Sequence, residues 1–151
     1  NNSKDSEHLF QKEKLLFSFN LLVYEIAGIY FKNVQHTGSI KHTQKEKLVL
    51  RFLKLLEPNC RKQHQVTFYS NALFVTVGHL NRTVKEVTGK TAKQLIEEAI
   101  IIEAKILLQD DTLTISEIIE ELEFGDLSFF GKFFKKHTFM SPTEYRLKLK
   151  F

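Results

Sequence analysis

Phe129 to Lys136 reads FFGKFFKK, four phenylalanines interleaved with three lysines. The ammonium groups can pair with phosphate or carboxylate, and the rings can anchor a core, lie on a membrane surface or stack on bases. Which chemistry is available depends on where each residue type points. A second cluster, Asn81, Arg82 and Lys85, combines an amide, a planar guanidinium with a fixed fork of donors, and an ammonium. Both clusters therefore hold groups suited to a polyanion.

Catalytic chemistry finds little support. His36, His42, His64, His79 and His137 are scattered without ligand spacing, and Cys60 has no neighbouring Cys or His pair. One cysteine forbids an intrachain disulfide and fits a reducing compartment. Val87-Thr88-Gly89-Lys90-Thr91 holds only the tail of a phosphate-binding loop, without the upstream glycine or a strand. Asn81-Arg82-Thr83 matches a glycosylation sequon but falls on a predicted helix. No enzyme, metal site or cofactor is expected.

The elements that must position the two clusters are helices. With 42% hydrophobic and 26% charged residues, the chain has the composition of a globular protein rather than a disordered one. Only Pro58 and Pro142 interrupt it as prolines, and strand signals are nearly absent. The expected fold class is all-α. The net charge of +4 is mildly basic and unevenly spread. Every charge from Asp110 to Asp126 is negative, and from Lys132 onward nearly every charge is positive, Glu144 excepted. This sorting predicts a basic face.

Leu15–Phe31 is apolar nearly all round, yet it is shorter than the roughly 20 residues of a membrane span and contains Asn20 and Glu25. A separate helix buried by pairing, as in a homodimer, is expected rather than a membrane contact. Asn33–Gln44 is polar and lacks a repeating apolar face, which marks a linker. Leu48, Phe52, Leu55 and Leu56 then share a helical stripe that Pro58 is expected to end.

The chain also repeats itself. Leu80-Asn81-Arg82-Thr83-Val84-Lys85 aligns with Phe130-Gly131-Lys132-Phe133-Phe134-Lys135 at an offset of fifty. Thr88 then meets Thr138, Thr91 meets Ser141, and Gln94 meets Glu144. Upstream, Phe68–Leu73 corresponds to Ser116–Leu122, with one extra residue in the second turn. Each copy reads as a short helix, a tight turn and a longer amphipathic helix, the outline of a helix-turn-helix. At about 100° per residue, Val77, Leu80, Val84 and Val87 form one buried arc, and Phe129, Phe130, Phe133 and Phe134 the other. Gly78, Asn81, Arg82 and Lys85 face outward, as do Ser128, Gly131, Lys132, Lys135 and Lys136. Thr67, Thr76, Thr114, Asp126 and Ser141 are expected helix caps. Ala92–Leu108 forms a connector helix about 25 Å long.

The stretch from about Lys45 to Phe151 resembles the DNA-binding domain of AraC/XylS-type bacterial transcription regulators. The most specific part is Leu113 to Arg146, LTISEIIEELEFGDLSFFGKFFKKHTFMSPTEYR. The first copy, FYSNALFVTVGHLNRTVKEVTGKT, follows the same order more loosely. The resemblance implies two helix-turn-helix subdomains entering adjacent major-groove segments on one face of double-stranded DNA. Residues 67–89 and 114–138 would be the two motifs, joined by a helix over 92–109. Residues 45–151 would be the DNA-binding domain, and residues 1–44 the tail of a sensor or dimerisation region. The chain is accordingly expected to be part of a longer, cytoplasmic, nucleoid-associated protein, with an operator and RNA polymerase as partners.

The positions that face bases in the family fall on Gly78, Asn81, Arg82, Leu127, Ser128, Gly131 and Lys132. Arg82 would clamp O6 and N7 of a guanine, Asn81 would pair with adenine, and Leu127 would touch a thymine methyl. Lys85, Lys135, Lys136 and Arg146 suit phosphates, which give affinity without sequence information. The family has glycine where Glu123 and Phe139 stand, so both are expected at positive φ at a cost of roughly 1 kcal/mol. It also has a small alanine where Ile119 stands. An alternative reading of the same residues is a helical protein-interaction module with a basic face.

Overall fold

The computed structural model describes residues 43–150. The apolar segment Leu15–Phe31 and the linker as far as His42 lie outside the described residues. Within them all regular structure is helical: α1 (Gln44–Asn59), α2 (Val66–Ala72), α3 (Val77–Thr88), α4 (Ala92–Leu108), α5 (Ile115–Glu121), α6 (Leu127–Thr138) and α7 (Pro142–Lys148). Two compact units divide between Ala99 and Ile100, inside α4.

In the first unit α1 packs on α2 and α3. Thr43 opens α1 with a reciprocal capping box to Glu46, which satisfies two otherwise orphaned amides. Leu48, Val49, Phe52 and Leu56 are buried along its inner stripe, together with Tyr69, Leu73, Leu80 and Val84. Phe52 meets Tyr69 edge-on at 5.5 Å, and the Tyr69 hydroxyl donates to Gln63 O at 2.8 Å. Burial, with a smaller contribution from Cys60, pushes the Tyr69 hydroxyl well above the ordinary phenol range. Pro58 does not end α1 as expected. It sits inside the last turn, and the helix runs on to Asn59 with Cys60 N bonded to Leu56 O at 2.9 Å. Proline forfeits its own amide bond and its ring crowds the carbonyl four residues back, and the helix goes only one residue further.

In the second unit α6 packs on α5 and α7. Its core holds Ile118, Ile119, Leu122, Phe124, Phe130 and Phe134. Ile119, where the resemblance implies a small alanine, is itself buried. Thr76, Thr114, Asp126 and Ser141 cap their helices through side-chain oxygens. Thr67 does not. α2 starts at Val66 behind Gln65, which makes no side-chain cap, and the Thr67 carbonyl accepts from Ser70 Oγ at 3.1 Å. No helix among the described residues is long and apolar enough to cross a membrane.

Candidate nucleic-acid interface

The two units solve the same local problems with the same bonds. After α2, Phe74 takes a left-handed conformation (φ 57°) and Val75 N reaches back to Ser70 O at 3.0 Å. After α5, Glu123 does the same (φ 50°) and Phe124 N reaches Ile119 O at 3.0 Å. This is the Schellman pattern, which returns orphaned carbonyls a partner and reverses the chain. The second turn then spends one more residue, Gly125, before its cap, as the alignment requires.

At the far ends the fifty-residue register becomes literal. Gly89 (φ 79°) and Phe139 (φ 64°) close the long helices through bonds to Lys85 O and Lys135 O, at 2.9 and 2.8 Å. Thr88 Oγ lies 2.8 Å from Val84 O, and Thr138 Oγ lies 2.9 Å from Phe134 O. Next come paired capping boxes, Thr91 with Gln94 and Ser141 with Glu144. Hydrogen bonds from Thr114 and Ser141 hold the carboxyls of Glu117 and Glu144, respectively, below the usual range.

Each long helix therefore presents a defined outer face. On α3, Gly78, Arg82 and Lys85 are exposed, and a Cβ at Gly78 would meet nothing within 4 Å. Asn81 is half-buried, and its Oδ1 is shielded from solvent without a hydrogen-bond partner. A bidentate pairing with adenine needs both amide atoms at the surface. On α6, Leu127, Ser128, Lys132, Lys135 and Lys136 are exposed, and Gly131 is half-buried with open space where a Cβ would sit.

Arg146 is placed differently from the lysines. Its Nε donates to Leu108 O at 3.2 Å and its Nη2 lies 3.5 Å from Asp110 O. The guanidinium thus serves the carbonyls at the C-terminal end of α4, where cations are welcome.

Two features of the interface were not visible in the pattern. Glu86 takes Lys45 of α1 as its ion-pair partner, at 2.5 Å, rather than Arg82 one turn back on α3. The hydrogen bond and charge of Lys45, and then the charges of Arg82 and His79, hold the Glu86 carboxyl below its ordinary range. A carboxylate thus stays ionised on an otherwise basic face. The second feature corrects the expected buried arcs. Phe129 is 61% exposed and Val77 38%, whereas Thr83 is buried. The residues of the first turns, Val77–His79 and Leu127–Phe129, are all exposed, and Phe129 touches the core only at the edge, through Phe124 at 5.8 Å.

The family model describing a helix-turn-helix domain matches residues 69–148, more than half of the chain. The chain belongs to the AraC/XylS family. It is 25% identical over 126 residues to the HTH-type transcriptional activator RhaR of Escherichia coli strain K12, covering 83% of this chain and 45% of RhaR. The RhaR of Shigella flexneri serotype 5b matches equally. The chain thus spans less than half the length of these relatives. A DNA-binding transcriptional dual regulator from Escherichia coli K-12 shares the fold at a TM-score of 0.58, with 17% identity over 74% of this chain and 96% of that one. Against the AraC/XylS pattern, Glu123 and Phe139 occupy glycine positions and adopt the left-handed backbone that glycine would favour. Phe74, which the sequence did not single out, does the same in the first turn.

Proposed function

We propose that this chain is the DNA-binding part of a transcription regulator, placing α3 and α6 in adjacent major-groove segments of an operator. The observation that carries the proposal is the doubled geometry: two turns and two long helices with matching caps, each helix turning Arg82 and Lys85, or Lys132, Lys135 and Lys136, to solvent. Gly78 and Gly131 leave room for the groove wall. Arg82 reads guanine, while Leu127, Ser128 and Lys132 face the second segment. Asn81 reads adenine only after a side-chain rotation that brings Oδ1 outward. Lys85, Lys135 and Lys136 hold phosphates, and Arg146 contributes by fixing the end of α4.

Residues 45–151 form the DNA-binding domain in this reading, and residues 1–44 end a sensor or dimerisation region that pairs through Leu15–Phe31. Contact with RNA polymerase belongs to the same reading. Selecting sites from random duplexes and titrating the winner in rising salt tests it. Affinity should fall steeply with salt, while a sequence preference survives at moderate salt. Arg82→Ala should relax that preference more than Lys132→Ala. Uniform, sequence-blind binding would favour the protein-interaction alternative.

A further inference from the structure

Phe129, expected in the buried arc of α6, is left in the open by the structure. At 3.6 residues per turn it lies about 60° around α6 from Lys132. It lies about 20° from Lys136 on the outer arc, and both are exposed. The ring is not loose. It leans on Phe124 at a centroid distance of 5.8 Å, and Phe124 is buried against Phe130 and Phe133 at 5.1 and 5.2 Å. The Phe129 amide is tied to the capping carboxylate of Asp126 at 2.7 Å. An apolar side chain is thus seated at the first turn of the helix with its outer edge in water.

We propose that Phe129 forms an apolar reading edge for the C5-methyl groups of thymines in the second major-groove segment. This rests on the DNA-binding reading above. Base edges are met by the first residues of a recognition helix, and phenylalanine against a thymine methyl is among the apolar contacts that the major groove permits. The surrounding charge fits this occupant: Lys132, Lys135 and Lys136 frame the edge with cations suited to flanking phosphates. The equivalent position in α3 is His79, also exposed, which offers ring nitrogens instead. The two helices then differ in their readout, with α6 adding a methyl contact to the polar ones of Ser128 and Lys132.

The test uses the 151-residue chain and a selected operator in which thymines of the second segment are replaced by deoxyuridine, which lacks only the methyl. Wild-type affinity should drop roughly four-fold for each contacted methyl, the factor for burying one such group. Phe129→Ala should bind the thymine operator more weakly and become indifferent to the replacement, while Phe129→Leu keeps part of the sensitivity. Circular dichroism melts confirm that both variants fold. A wild-type chain that binds its operator specifically yet ignores deoxyuridine overturns this inference alone. So does a Phe129→Ala variant that remains as sensitive as wild type, or one that changes oligomeric state and leaves DNA affinity intact. A wild-type chain with no specific site overturns the DNA-binding reading as well.

Discussion

Gly89 and Phe139 end equivalent helices with the same backbone and opposite side chains, so exchanging their chemistry should move stability in opposite directions. A non-glycine residue in the left-handed region costs about 1–2 kcal/mol. Glycine returns about 0.5–1 kcal/mol of that through its greater freedom in the unfolded chain. Phe139→Gly should therefore stabilise the second unit by about 0.5–1 kcal/mol. The ring is 88% exposed, so its removal sacrifices little burial. Gly89→Ala should destabilise the first unit by a similar ~0.5–1 kcal/mol. Its φ is +79° and the new Cβ would meet nothing within 4 Å, so the cost is one of backbone alone. Thermal unfolding followed by helical circular dichroism should show shifts of a few degrees, upward for Phe139→Gly and downward for Gly89→Ala. A destabilised Phe139→Gly together with a neutral Gly89→Ala would refute the reasoning, because the left-handed cap would then not be where the strain resides.

The adjacent phenylalanines give a sharper contrast. Phe130→Ala, at a fully buried position, should cost about 3–5 kcal/mol in urea unfolding, while Phe129→Ala should cost far less. The capping carboxylates Glu117 and Glu144 have lowered folded-state pKa values. Their stabilisation is present above the ordinary value of 4.5 and is lost as pH falls through the folded values. Glu144→Gln should flatten that acid limb of a stability profile, and an unchanged limb would count against the cap. Arg146→Ala should lower the melting temperature by removing the donor to Leu108 O and leave the salt dependence of DNA binding unchanged. Lys135→Ala should do the reverse, reducing the logarithmic salt slope by about 0.9. Lys45→Ala leaves Glu86 without its ion-pair partner on α3; in the proposed reading this should weaken DNA binding, and Glu86→Gln in that background should restore it, as a filter-binding titration would show.

Much of this molecule could be read from its residues because the signals were local. The fifty-residue register is written in side chains that bond within four positions of themselves: Thr88 and Thr138 to their preceding turns, and Thr91 and Ser141 to Gln94 and Glu144. The all-helical class and most caps followed from the same short-range chemistry. Apolar periodicity placed Leu80, Val84, Phe130 and Phe134 correctly in the core. It failed at Val77 and Phe129 because periodicity describes which way a residue points, not how much of the core stands opposite. It also missed Lys45 beside Glu86, a contact made across forty-one positions, for which no sequence spacing is diagnostic. Arg146 suggested a phosphate ligand by its charge, and its hydrogen bonds to the main-chain carbonyls of Leu108 and Asp110 had no signal in the sequence.

The matched caps at either end of α3 and α6 have a consequence for how such a protein changes over generations. Because each tip is held by main-chain bonds and a capping oxygen behind it, the side chains at 78 and 79, or 128 and 129, can be rewritten without disturbing the scaffold. One duplicated half can then drift towards a new target while its twin keeps the old grip.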